Sequence, residues 1–214
     1  DEDVFLVVET MGGSHPAYEF SKRALLAGKS VVTSNKEVVA NYGAELLEIA
    51  RQNGVSYLFE ASVGGGIPII RPMWQCLAAN RIRSVSGILN GTCNYILTKM
   101  AKEHADFDAA LAEAQRLGYA ERNPAADIEG TDTCRKISIL TSLAYGEHVR
   151  PERLLCEGIT KITYDDIAYA EDCGYAVKLV GRAARAEDGK VYALTAPHLV
   201  PKDNALSGVN DVYN

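Results

Sequence analysis

The run Gly118-Tyr119-Ala120-Glu121-Arg122-Asn123-Pro124-Ala125-Ala126-Asp127-Ile128-Glu129-Gly130-Thr131-Asp132-Thr133-Cys134-Arg135-Lys136 sets carboxylates and a lysine among turn formers. It then passes directly into an apolar helical pattern through Ile137, Ile139, Leu140 and Leu143. Asp132 and Lys136 are four residues apart, so a helix from Thr131 to Tyr145 puts them on one face about a turn apart. A carboxylate and an ammonium fixed on the first turn of a rigid helix suit a small zwitterion. They also suit proton transfer at an alcohol or carbonyl. The same spacing describes a surface ion pair at a helix start, which contributes little.

Outward from this run, the first sixty residues alternate strand and helix. Val4 to Val8 reads as a strand buried on both faces, as in a parallel sheet. A helix over Ala17–Ala27 stops at Gly28, and Lys29–Thr33 is a second strand. A helix over Tyr42–Asn53 ends before Gly54, and Val55–Ala61 is a third strand. Strands alternating with helices of this length imply parallel, right-handed crossovers. The expected class is α/β: the C-terminal half of a Rossmann-like, doubly wound parallel sheet. No GxGxxG follows a strand, so the pyrophosphate-binding turn is expected upstream of Asp1.

Beyond Gly64-Gly65-Gly66 the pattern becomes α+β with a mixed sheet. Pro68 suits a helix N1 position, with Ile69–Ala79 continuing that helix. Arg81–Leu89 alternates like a strand with one wet face. Asn94–Glu103 and Phe107–Leu117 read as helices, Pro151–Leu155 as a short turn and Tyr164–Cys173 as a longer helix. Tyr175–Arg185 and Lys190–Val200 read as strands joined by Glu187-Asp188-Gly189. The expected division is 1–60, a partial dinucleotide-binding domain, and 61–214, a catalytic and dimerisation domain. The opening without Met and the lack of a closing helix suggest a piece of a longer protein.

A net charge of -6 argues against nucleic acid or an anionic membrane as partner. No apolar run approaches the ~18 residues of a membrane span. The odd set Cys76, Cys93, Cys134, Cys156 and Cys173, with no CxxC, reads as reduced thiols in a cytoplasmic protein. His15, His104, His148 and His198 lack metal-ligand spacing and read as surface or structural.

Three further segments hold candidates, each with a bland counterpart. Asn35-Lys36 lies at the carboxyl edge of the first sheet, where open α/β sheets bind ligands; a solvated lysine at a helix start would look the same. Glu60 to Pro68 carries three glycines that let backbone approach a ligand, or that simply punctuate two domains. Gly87 to Tyr95 is a strand, turn and helix start in which Asn90 or Thr92 can be the cap. Cys93 has no evident base partner and is not a nucleophile candidate.

Together these residues resemble homoserine dehydrogenase. The signature positions are Ala114, Gly118, Tyr119, Ala120, Asn123, Pro124, Asp127, Ile128, Gly130, Asp132 and Lys136, with none broken. Val32-Thr33-Ser34-Asn35-Lys36 is similar to the family's segment with an active-site lysine, and Glu9 to Gly13 to its loop beside the cofactor. The departures are Arg122-Asn123, where Pro-Asp is common, and Gly65, where Ala is frequent. The resemblance covers essentially the whole chain.

It implies NAD(P)-dependent interconversion of L-homoserine and L-aspartate 4-semialdehyde, in threonine and methionine biosynthesis, by a homodimer. Lys136, Asp132 and Lys36 would be catalytic. Glu121, Asp127, Asp132, Thr92 and Tyr119 would bind substrate, and Lys36, Gly118 and Thr10 the cofactor, NADP or NAD. Glu60, Val63, Gly65 and Ile67 would hold a monovalent cation, Na+ or K+, through oxygen ligands. The fragment alone would be inactive or nearly so. A related amino-acid or semialdehyde oxidoreductase, and a non-catalytic dimerisation or regulatory module, are the other readings.

Overall fold

A computed structural model describes residues 2–214, which form two compact units. The first comprises residues up to Ile82 together with Ser138–Arg153; the second comprises Arg83–Ile137 and Leu154–Asn214.

In the first unit, β1 (Leu6–Glu9), α1 (Ala17–Leu26), β2 (Ser30–Thr33), α2 (Lys36–Gln52) and β3 (Tyr57–Leu58) follow in order. The strands form a parallel sheet ordered β1-β2-β3, with Val7 opposite Val31 and Val32 opposite Leu58. Leu25, Val31, Val38, Leu46 and Tyr57 fill its core. Helix α2 starts six residues earlier than its apolar spacing suggests, because the Asn35 side chain accepts the Val38 amide and caps it.

Three expectations for this unit are corrected. Strand β1 is not buried on both faces: Val7 is half-buried and Glu9 buried, whereas Leu6 and Val8 on the other face are 38% and 63% exposed. Double burial needs cover on each face, and the described residues cover only one. The third strand ends at Leu58 because the chain curls into a 3-10 turn, Glu60–Ser62, where both the Ser62 amide and hydroxyl donate to the Phe59 carbonyl. The helix expected over Ile69–Ala79 is one short turn running into a π-type turn, Pro72–Cys76, in which Leu77 N–H reaches back to the Pro72 carbonyl. Pro72 has no N–H to donate, so the regular ladder breaks there. Pro68 precedes the helix instead of starting it.

The second unit contains β4 (Ser84–Gly87), α3 (Gly91–Glu103), α4 (Phe107–Arg116), a short α5 (Ala125–Ile128) and α6 (Thr131–Tyr145). β5 (Leu155–Cys156), α7 (Tyr164–Asp172), β6 (Tyr175–Arg185) and β7 (Val191–Pro201) complete it. Helix α6 is continuous; its residues to Ile137 belong here and the remainder to the first unit. The sheet is mixed, ordered β4-β6-β7-β5: β4 and β7 run antiparallel to β6, and β5 runs parallel to β7. Helix α3 packs on α4, α7 and β6 around Ile96, Leu97, Met100, Ile167 and Leu179.

Gly181 on β6 lets α6 lie close to this sheet. A Cβ there would stand 3.0 Å from Leu89 Cδ1, 3.1 Å from Ile137 Cβ and 3.2 Å from Thr133 Cγ2. The missing side chain therefore sets the seat of the helix that carries Asp132 and Lys136. Among the described residues no helix is long and apolar enough to cross a membrane.

Candidate functional site

The end of β4 begins the site. Asn90 caps α3 by accepting the Cys93 amide at 2.8 Å. Its amide nitrogen faces the other way and donates to Asp127 Oδ1 at 2.6 Å and to Asp132 Oδ2 at 3.0 Å. One side chain thus joins a helix start to two carboxylates from α5 and α6. Asp132 Oδ2 also receives Lys136 Nζ at 2.9 Å, in an ion pair whose side chains are only 6% and 13% exposed. Lys136 Nζ makes a second bond, to the Leu89 carbonyl at 2.8 Å. An ammonium has three N–H bonds, so these two contacts use two of its three donors.

The neighbouring turn adds shape. Thr92 does not cap the helix; its hydroxyl donates to the Tyr119 carbonyl at 2.7 Å. The Tyr119 ring lies 5.0 Å from that of Tyr95. Gly118 closes α4 with φ +78°, a left-handed conformation that favours glycine. Glu121 follows on the exposed loop, with its carbonyl held by Gln115 Nε2 at 3.1 Å. Cys93 Sγ donates to the Asp127 carbonyl at 3.1 Å. Burial, reinforced by the charges of Asp127 and Asp132, pushes that thiol far above its usual range, so it stays protonated.

The second unit therefore gathers Thr92, Tyr119, Asp127, Asp132 and Lys136 around Asn90, with Glu121 and Gly118 on the adjoining loop. Sequence reasoning had assigned Asn90 only a capping role. The missing signal was its second function, which depends on α5 and α6 arriving beside it. The Leu89 carbonyl was equally invisible, being backbone.

In the first unit, Lys36 opens α2 and Thr10 lies exposed on the loop after β1. Buried Glu9 holds this loop by accepting the Met11 amide and the Thr33 hydroxyl, each at 2.6 Å. Asn35 Nδ2 then donates to the carbonyls of Met11 (3.1 Å) and Gly13 (2.7 Å). The ideal Cβ positions of Gly12 and Gly13 have nothing within 4 Å, so the loop presents open backbone. Glu60 accepts the amides of Ile69 (2.7 Å), Ile70 (2.8 Å) and Arg71 (2.7 Å), capping the short helix that follows. Among the described residues, no group of three or more His, Cys, Asp or Glu could hold a metal ion.

The family model for homoserine dehydrogenase matches residues 68–214, and that for the homoserine dehydrogenase NAD binding domain matches residues 1–60. The chain belongs to the homoserine dehydrogenase family. It is 50% identical to the homoserine dehydrogenase of Synechocystis sp. and 43% identical to that of Bacillus subtilis, in each case over 100% of this chain. It covers 50% and 49% of those two proteins, so the chain spans about half the length of the curated relatives it matches. The crystal structure of a homoserine dehydrogenase from Thiobacillus denitrificans aligns with a TM-score of 0.94 at 46% identity, over 97% of this chain and 48% of that one. A hyperthermophilic archaeal homoserine dehydrogenase in complex with NADPH aligns at TM-score 0.80 and 34% identity, over 94% of this chain and 57% of the other.

Proposed function

We propose that the protein carrying this chain interconverts L-homoserine and L-aspartate 4-semialdehyde with NAD(P), in amino-acid biosynthesis. The observation that carries this reading is Lys136: half-buried, ion-paired to Asp132 at 2.9 Å and tethered to the Leu89 carbonyl at 2.8 Å. A substrate with an α-ammonium, an α-carboxylate and an oxygen at the reacting carbon matches three carboxylates and one ammonium. Asp127, Asp132 and Glu121 would receive the α-ammonium by charge-assisted hydrogen bonds. Thr92 and Tyr119 would contact the substrate's backbone end. In the reducing direction the Lys136 ammonium would deliver a proton to the carbonyl oxygen as hydride reaches the carbon.

The nicotinamide cofactor supplies or accepts the hydride. Thr10, Lys36 and Gly118 are the residues we assign to it. The open glycine loop held by Glu9 and Asn35 fits a ligand that approaches backbone. For Na+ or K+, the carbonyls of Val63, Gly65 and Ile67 would be hard oxygen donors. Glu60 would have to share its carboxylate with three amides, so it fits that role less well than it fits capping. We assign the nucleotide half to 1–60, with catalysis and pairing in 61–214. Exposed Leu155 and Tyr192, which share one face of the mixed sheet, support a homodimer formed there. Five free cysteines support a reducing, cytoplasmic setting.

The deciding experiment is Lys136→Gln in the full-length protein. Glutamine keeps an N–H donor toward Asp132 and cannot supply a proton. We expect kcat for homoserine oxidation to fall at least about a hundredfold. Turnover within about a factor of two of wild type would reduce Lys136 to an ion-pair partner and defeat the mechanism. Wild-type turnover of aspartate in place of homoserine would move the chain to a related oxidoreductase. Sedimentation of the full-length protein at low micromolar concentration tests pairing; a monomer refutes it.

A further inference from the structure

Lys178, on β6, is only 3% exposed, yet none of its three partners is a carboxylate. Its Nζ donates to Asn94 Oδ1 at 3.1 Å, the Val209 carbonyl at 2.6 Å and Asn210 Oδ1 at 3.2 Å. Removing an ammonium from water is costly even when it is well hydrogen-bonded, and an aliphatic side chain would suit this core more cheaply. What the lysine secures is the segment 209–213.

That strap is held by polar contacts. Of its apolar side chains Val209 is half-buried, whereas Val212 is exposed and Tyr213 is 70% exposed. Beyond the two bonds from Lys178, Asn94 Nδ2 donates to the carbonyls of Val209 (3.2 Å) and Tyr213 (2.9 Å), and the Asp211 amide donates to Thr98 Oγ1 at 3.1 Å. Asn94 and Thr98 both lie on α3, so the strap is tied along the first turns of that helix.

The strap then crosses the substrate turn. A Cβ placed on Gly91 would stand 2.6 Å from the Val212 carbonyl oxygen, closer than real atoms pack. Gly91 separates Asn90, which holds Asp127 and Asp132, from Thr92, which holds Tyr119. We propose that Lys178 is a positioning residue, clamping residues 209–213 over Gly91 and thereby fixing the Asn90–Thr92 turn that presents the substrate-binding carboxylates. The assignment rests on the homoserine reading above for its kinetic consequence, and on the contacts alone for its structural one.

The test uses the full-length protein with Lys178→Met, and Asn210→Ala as a milder variant that removes one acceptor. Hydrogen exchange is followed in peptides spanning 88–94 and 209–213, beside KM for homoserine and for the cofactor. In Lys178→Met, exchange should quicken in both peptides, and homoserine KM should rise about tenfold while cofactor KM stays within about twofold. Unchanged exchange at 88–94 would overturn the proposal, as would faster exchange with an unchanged homoserine KM. If Lys178→Met does not fold, Asn210→Ala decides by the same pattern at smaller size. If the wild-type protein does not turn over homoserine, the functional reading falls, and exchange at 88–94 still judges the clamp.

Discussion

Asn35 in the first unit and Asn90 in the second each follow a strand, cap a helix through the side-chain oxygen and tie down other chain segments through the nitrogen. They differ in what the nitrogen holds. Asn35 binds two neutral carbonyls, those of Met11 and Gly13. Asn90 binds two carboxylates, Asp127 and Asp132. The first arrangement fixes a loop without placing charge. The second fixes the spacing of two charges through stronger, charge-assisted bonds. One local device thus makes a neutral shelf under a glycine loop in one unit and a pair of tethered carboxylates in the other.

Exchanging each amide for an acid should break the symmetry most sharply. Asn90→Asp puts a third carboxylate against Asp127 and Asp132, so kcat/KM for homoserine should fall about a thousandfold. Asn35→Asp meets only carbonyls and should lose stability with a far smaller loss of turnover. Equal losses would end the comparison.

A second contrast concerns buried charge: the first unit buries the acid Glu9, whereas the second buries the acid Asp132 and the base Lys178. Burial pushes Lys178 down to about 8; Lys102 adds to that and Asp211 opposes it. An unfolded lysine titrates near about 10.4. Between these values the unfolded chain binds more protons than the folded one, so stability rises with pH across that window. The penalty for charging the buried amine is fully present below about pH 8. It amounts to about 3 kcal/mol at most and is gone above about pH 10.4. Urea unfolding across the window should show the rise in wild type and a flatter profile in Lys178→Met.

Asn35→Ala and Asn90→Ala should each cost about 1–2 kcal/mol in urea unfolding through the lost cap. Their kinetics should part company: Asn35→Ala raises cofactor KM, and Asn90→Ala raises homoserine KM. A shared pattern would mean that both act only through stability. The smallest effect belongs to Glu121→Ala, on an exposed loop. Homoserine KM should rise about fivefold, about 1 kcal/mol, with cofactor KM unchanged; a selective loss of cofactor affinity would remove Glu121 from the substrate site.

How far these regions could be read from sequence follows the same division. Helix α6 and strand β6 have the ends their apolar periodicity suggests, Thr131–Tyr145 and Tyr175–Arg185, because long buried elements carry a strong period. The Asp132–Lys136 pair was legible because it is local. The π-type turn was not, since Pro72 disrupts a helix whose apolar spacing continues past it. The short α5 and β5 offer too few residues for any period. Asn90 was half legible: capping needs only the next turn, whereas its bonds to Asp127 and Asp132 span 37 and 42 residues.

The dipeptide Asn90-Gly91 carries a liability of chemical ageing. An unhindered glycine amide is the easiest nucleophile for ring closure onto a preceding asparagine, and hydrolysis of that ring leaves aspartate or isoaspartate. Here the turn holds Asn90 at ψ 113°, with its oxygen committed to the Cys93 amide and its nitrogen to two aspartates. Closing the ring requires that side chain to let go of its partners. The folded turn therefore protects its own covalent integrity, and each excursion that frees Asn90 gives this clock a chance to advance toward a third acidic group beside Asp127 and Asp132.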